Sequence, residues 1–253
     1  MKGLLVLQTL ARMGESSALA LSASTGIPRP TVHRLLRTLV DAGYVNQERR
    51  GGGYRLTGLV AGLADAFKDD DWLLGAAGPV LDDLRHQVAW PTDVAICNGG
   101  SMVIWASTHD QNPLSLDRVV RGRRVSMLTS ALGRAYLAYC PPAEREGLLR
   151  SLKPANALER EVLSNLELLH RELDATRARG YGLRERGSQP KTSSIAVPVM
   201  NGEWVVACLN IHWISRAMST GEAVSRYLRP LQEAAKRFES QYAAYRRRAR
   251  RIR

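Results

Sequence analysis

The chain is 253 residues long, beyond the usual size of one domain, so two domains that each bury their own core are the natural expectation. Its 36 Lys and Arg against 24 Asp and Glu leave a net charge of +12, and the excess sits at the ends: residues 1–57 hold eight basic and three acidic side chains, and Arg246 to Arg253 holds six arginines and no acid. Such end-loading points to a polyanion, either nucleic acid or an anionic membrane surface. The absence of any run of 18 apolar residues excludes an ordinary transmembrane helix.

The opening stretch MKGLLVLQTLARMGESS is amphipathic and has no clean small-residue cleavage motif, which argues against a signal peptide. Lys2 to Met13 reads as a first helix with Leu4, Leu5, Leu7 and Leu10 toward a core, ended by Gly14. Ser16 and Ser17 can cap a short helix over Ala18 to Ser24, and Thr25-Gly26-Ile27-Pro28 supplies a tight corner. The third helix is the most informative. Val32, Leu35, Leu36, Leu39 and Val40 make one apolar stripe at the 3.6-residue period, with a start at about Pro30 and a stop at Gly43. Its other face carries Arg29, Thr31, His33, Arg34 and Arg37, side chains able to reach phosphates and base edges. Two short strand-like runs, Tyr44 to Glu48 and Tyr54 to Thr57, flank Arg49-Arg50-Gly51-Gly52-Gly53 and read as a β-hairpin. Helix-turn-helix plus hairpin is a winged helix-turn-helix, with Arg49 and Arg50 placed to position phosphate.

Residues 58–71 read as a connecting helix, since no Gly/Ser or Pro-rich tract interrupts them. After an acidic break at Asp69 to Asp71, a further helix starts at Pro79 and runs through Val88. Thr92 to Cys97 and Met102 to Thr108 form a strand pair around Asn98-Gly99-Gly100-Ser101. Helices follow over Ser126 to Tyr139, Pro142 to Leu152 and Leu163 to Arg179, then strands over Ser194 to Val199 and Trp204 to His212, and a last helix over Ser219 to Tyr245. Mixed strands and helices after a helical start describe an α+β second domain over 72–245, with 246–253 as a basic tail. The three cysteines, Cys97, Cys140 and Cys208, are odd in number and far apart, which suits reduced thiols and a cytoplasmic location. Cysteines and the five histidines show none of the close pairs that structural zinc sites use, so neither a metal nor a cofactor is expected.

Taken together, GIPRPTVHRLLRTLVDAGYV, the wing, LTSALGRAYLAY and SIAVPVMNGEWVVACLNI resemble the IclR family of bacterial transcriptional regulators over nearly the whole chain. Through DDDWLLGAAGPVLDDL, WPTDV, GRRVSMLTSALG and SRAMS the chain is most similar to the MhpR-type activators of hydroxyphenylpropionate catabolism. The resemblance implies a homodimer or homotetramer, a palindromic operator in double-stranded DNA, and a GAF-like second domain that binds a small carboxylic acid. It carries over an effector pocket made of the helix start Ser130-Ala131-Leu132-Gly133, Arg184, Ser194, Asn210 and His212, with Trp105, Met127 and Tyr136 as apolar walls. Free N–H groups at a helix start favour a carboxylate. Ser130 and Gly133 could equally cap the helix only. Arg184 falls where many relatives carry an acid; it can pair with an acidic effector or point to solvent beside Glu185 and Arg186.

The reading is therefore a DNA-binding regulator with no catalytic residues, whose partners include DNA, a carboxylic acid and RNA polymerase. A rival reading is a small-acid enzyme using His109-Asp110 and His212, but no nucleophile triad, phosphate loop or metal set supports it. An IclR-type repressor of an aliphatic keto acid is a second rival. Membrane association through the arginine tail is weaker, because that tail has too little apolar surface to insert.

Overall fold

The computed structural model describes residues 2–48, 53–62, 71–116, 121–185 and 191–251, which fall into two units, Met1–Asp70 and Asp71–Arg253. In the first unit the order is α1 (Lys2–Met13), β1 (Ser16–Ser17), α2 (Ala18–Thr25), α3 (Arg29–Asp41), β2 (Val45–Gln47), β3 (Gly53–Leu56) and α4 (Leu59–Gly62). Val6 and Leu10 of α1, Leu21 of α2, and Val32 and Leu36 of α3 meet Val45 and Tyr54 in one core. Leu4 and Leu5, expected inside, are 64% and 43% exposed. The buried stripe of α1 is instead Val6, Thr9 and Leu10, because the 100° step from Val6 places those positions, and not Leu4 and Leu5, over α2 and α3.

Local chemistry sets the corners. The Ser17 hydroxyl accepts from the Ala20 N–H at 3.2 Å and caps α2. Ser16 does not cap; it pairs with Tyr54, so β1 adds a third strand to the β2–β3 hairpin in the order β1-β3-β2. Gly26 closes α2 at φ 67°, a left-handed conformation that glycine adopts without penalty. Helix α3 starts one residue earlier than Pro30 suggests. The Thr31 and Val32 N–H groups both bond the Pro28 carbonyl, at 2.9 and 3.1 Å, so the first turn closes with Arg29 inside it despite the bias against helix before proline.

The second unit contains α5 (Asp71–Gln87), β4 (Thr92–Asn98), β5 (Ser101–Ser107), β6 (Arg124–Ser126), α6 (Ala131–Tyr139), α7 (Pro142–Ser151), α8 (Ala157–Ser164), α9 (Leu166–Arg179), β7 (Gly182–Arg184), β8 (Thr192–Asn201), β9 (Trp204–Ile214) and α10 (Thr220–Arg251). The six strands form one antiparallel sheet, β6-β5-β4-β9-β8-β7. One face buries Val94, Ile195, Val197, Leu209 and Ile211 with Val80 and Leu84 of α5 and Leu231 and Phe238 of α10. The other buries Ala95, Met102, Ile104, Ala196 and Cys208 with Leu132, Ala135 and Leu137 of α6 and Leu173 of α9. Alternation along each strand explains the split, since neighbours point to opposite faces.

Several expected boundaries change. Helix α5 runs through Pro79 as one helix, and Gly78 before the proline lacks the Cβ that normally drives that position out of the helical region. The stretch from Ser126 is not helical throughout: it is the end of β6, then a turn, then α6 from Ala131. The short elements α8 and β7 were not anticipated, and α10 extends to Arg251. Of the expected connecting helix at 58–71, residues 63–70 lie outside the described residues, as do Arg49 and Arg50.

Candidate nucleic-acid interface and effector cavity

With Val32 and Leu36 buried, the helical step turns Arg29, His33, Arg34 and Arg37 outward, and all four are exposed; Thr31 is half-buried. His33, Arg34 and Arg37 border a shallow concavity together with Gln47 of β2 and Tyr54 of β3. The three are thus brought onto one surface beside the hairpin strands. None of them is tied up in an intramolecular ion pair among the described residues, so their donors remain available to phosphate oxygens and to the acceptor edges of guanine.

The second unit encloses a cavity of about 600 Å³ on the α6 face of the sheet. Its wall combines Ser130, Ala131 and Leu132 with Arg184, Ser194, Asn210 and His212, and with Met127. Arg184, Ser194 and His212 form one row across β7, β8 and β9, because Arg184 pairs with Ser194 and Ser194 with His212. Arg184 is therefore not directed to solvent. It is 7% exposed, and its guanidinium donates to Ser194 Oγ at 3.2 Å and Thr192 Oγ1 at 2.9 Å. Burial, followed by the field of Arg123, pulls its pKa down from the ordinary arginine value. Two guanidinium groups in one wall make the cavity favourable for an anion.

The α6 start is fitted closely. Ser130 Oγ donates to the Ser126 carbonyl at 2.5 Å and accepts from the Gly133 N–H at 2.9 Å, an N-cap. The amides of Ala131 and Leu132 stand next in line at the positive end of the helix, and both residues border the cavity. Gly133 does not. A Cβ at that position would overlap the Met127 carbonyl oxygen, so glycine is there to let the turn pack on the helix. Arg134 was missed by the sequence reading; it donates to the carbonyls of Leu183 at 2.7 Å and Leu128 at 3.3 Å, fastening α6 to β7 and to the turn.

Two expected walls are displaced. Trp105 sits one residue out of phase with Ile104, so Ile104 lines the cavity while Trp105 packs on the α5/α10 side of the sheet. Tyr136 lies on α6 but faces away, where its hydroxyl donates to Glu144 and burial pushes its pKa up. Trp90, just before β4, takes the aromatic place.

The sequence reading also left out Asp93. It is 2% exposed and lines the cavity beside His109, Asn210 and His212. Burial alone would raise its carboxyl; the hydrogen bond to His212 and the fields of His212 and His109 outweigh that and hold it below the usual carboxylate value. The available signal was one acid leading directly into the apolar run VAIC, in a strand buried from its first residue.

A winged helix-turn-helix unit, and a second unit with a cavity that has guanidinium groups in its wall, are the architecture of a two-domain transcriptional regulator. The chain belongs to the IclR family: the IclR helix-turn-helix domain matches residues 1–49 and the bacterial transcriptional regulator IclR C-terminal model matches residues 70–239. It is similar to the HTH-type transcriptional regulator KdgR of Escherichia coli, 28% identical over 238 residues that cover 93% of this chain and 89% of the relative. It is also similar to the HTH-type transcriptional repressor AllR of Klebsiella pneumoniae, 27% identical over 244 residues, with 92% and 88% covered. Among solved structures, an IclR homologue from Microbacterium hydrocarbonoxydans complexed with 4-hydroxybenzoate superposes with TM-score 0.69 at 22% identity, covering 96% of this chain and 98% of that one. Thermotoga maritima IclR gives TM-score 0.69 at 20% identity, with 95% and 96% covered. The architecture is the mixed α+β one expected, and no helix among the described residues is long and apolar enough to cross a membrane.

Proposed function

We propose that this IclR-family regulator reads a palindromic operator as a cytoplasmic homodimer or homotetramer and is controlled by an aromatic carboxylic acid. In this reading residues 1–57 form the reading head, 58–71 the transmitter, 72–245 the GAF-like effector domain and 246–253 an accessory basic tail. Arg34 and Arg37 contact base edges, Arg29, Thr31 and His33 support them, and Arg49 and Arg50 hold phosphate. Acid binding shifts operator affinity, or contact with RNA polymerase, because the acid prefers one arrangement of the domains.

The observation that carries the acid is that buried Arg184, exposed Arg123 and the α6 start all line one cavity. The cavity volume suits one aromatic ring with its substituents. The bound 4-hydroxybenzoate of the Microbacterium homologue and the likeness to MhpR-type activators support an aromatic over an aliphatic acid, and hence control of an aromatic catabolic operon. A thermal-shift screen of hydroxyphenylpropionates, hydroxybenzoates, glyoxylate and pyruvate tests it, followed by operator-binding titrations with the hits. Stabilisation by aromatic acids, with altered affinity for DNA flanking its own gene, is the expected result. A response confined to glyoxylate or pyruvate replaces the aromatic reading with that of a keto-acid regulator.

A further inference from the structure

The long helix α10 changes character along its length. Its middle turns are fastened to the second unit: Leu231, Ala234, Ala235, Phe238 and Tyr242 are buried, and Glu239 Oε1 accepts from the Met200 N–H at 2.8 Å. Charges on those turns are balanced within the helix, with Arg226 paired to Glu222 at 2.8 Å and Arg229 to Glu233 at 2.9 Å. Beyond Glu239 the balance ends. Residues 240–253 hold six arginines and no acid, and they lie past the stretch, residues 70–239, that the family model matches.

The backbone of α10 continues as a helix through Arg251, nine residues past Tyr242, a rise of about 14 Å. Its register is fixed by the buried stripe. At a step of 100° per residue, Leu231, Ala234, Ala235, Phe238 and Tyr242 fall within an arc of about 100°, and the positions of Tyr245 and Ala249 continue it. Positions 246, 247, 248, 250 and 251 all fall outside that arc, spread over about 200° on the opposite side. Arg247 is exposed. No acid stands within four residues of any of these arginines, so the pairing that neutralises Arg226 and Arg229 has no counterpart here. Five like charges within one Debye length of about 8–10 Å repel one another, and a polyanion relieves that repulsion.

We propose that positions 246–251 of α10 form a second, sequence-independent contact with duplex DNA, holding backbone phosphates while α3 reads base edges. The charge densities agree: five arginines over a rise of about 7.5 Å give one positive charge per about 1.5 Å, against one negative charge per about 1.7 Å of duplex. Guanidinium groups suit phosphate oxygens, and within 246–251 only Ala249 is apolar, too little to anchor in a lipid surface. A second contact on a chain whose head already holds a duplex is intramolecular, so individually weak phosphate contacts add to affinity. The contact rests on DNA reading by the head, proposed above, and not on the identity of the acid.

The test titrates the full chain by fluorescence anisotropy, over a series of KCl concentrations, with DNA flanking its own gene and with a scrambled duplex of equal length. The variant combines Arg246→Gln, Arg247→Gln, Arg248→Gln, Arg250→Gln and Arg251→Gln. Each phosphate contact adds about 0.9 to the slope of log affinity against log salt, so three engaged arginines predict a slope shallower by about 2.7. Both duplexes should lose affinity alike, by at least about 10-fold at low salt, with the preference between them unchanged. The same five positions changed to Lys should keep the parent slope, because charge sets counterion release; a Lys variant as shallow as the Gln one overturns the contact. A chain ending after Tyr245 keeps Tyr242, the last buried residue described in α10, and should match the Gln variant, with thermal melts checking both. An unchanged slope in the folded Gln variant, with preference for its own DNA intact, overturns the second contact and spares the reading head. Loss confined to its own DNA overturns sequence independence. Arginine-dependent binding to phosphatidylserine vesicles with the DNA slope unchanged gives the surface to lipid and overturns the contact as well. Arg34→Ala should instead remove the preference and leave the arginines' share of the slope, and a parent chain with no affinity for either duplex overturns both readings.

Discussion

The reading head and the cavity solve recognition in opposite ways. The head presents side chains that are neighbours on one helix: Arg29, His33, Arg34 and Arg37 share an exposed face because α3 has a fixed pitch. The cavity takes its polar groups from β4, α6, β7, β8 and β9, so that Asp93 and Asn210, 117 positions apart, are hydrogen-bonded at 3.0 Å. The head therefore depends on one helix being folded, whereas the cavity depends on the register of a whole sheet. Damage to the second should be cooperative, and damage to the first should stay local.

The severest break in that contrast is Phe238→Ala. Phe238 is fully buried between α10 and the sheet, and its loss should destabilise the second unit by about 3–5 kcal/mol. Calorimetric unfolding should show the cavity-bearing unit melting earlier; an unaltered transition would mean the sheet does not act as one body. Arg184→Met keeps the bulk and removes the charge, and should weaken acid binding by about 1.5–3 kcal/mol, or roughly 10–100-fold. Calorimetric titration with the acid reads it, and operator affinity without acid should stay at the parent value. Arg34→Ala is the mirror experiment: about 1–3 kcal/mol lost on the operator with acid affinity unchanged. If both affinities fall together, the two regions are not separable as argued.

The smallest effect concerns the thiols. Burial pushes Cys140 up to about 12 and Cys208 well above the ordinary thiol value, so native protein at pH 8 should leave both unmodified by a thiol reagent until denaturant is added. Because the folded-state pKa lies above the unfolded one, their contribution to stability is complete below the unfolded value and declines as pH rises toward the folded value. A melting temperature that falls above about pH 9, less steeply in Cys140→Ala, checks the sign.

Legibility follows the same division. The α3 stripe, the Gly26 corner and the strand pair around Gly99 were readable because a helix of period 3.6 and a glycine-bearing turn are local events. Trp105 and Tyr136 were assigned to the cavity wrongly because their faces depend on strand phase and on which side of α6 meets the sheet. Asp93 was passed over because one acid leading into an apolar run carries no sign of its partners. Leu4 and Leu5 show the same limit at short range: hydrophobicity marks a candidate for burial, and the neighbouring helices choose which residues are buried.

The order of residues by itself determined the basic helix, its turn, the mixed composition of the second domain and the family, since each is written in contiguous patterns. Only the tertiary structure decided that Arg184 is buried, that Ile104 and not Trp105 lines the cavity, and that an aspartate and two histidines meet. The reason is physical: pitch and turn geometry act over a few residues, while strand register and helix packing are settled by all the chain they bring together.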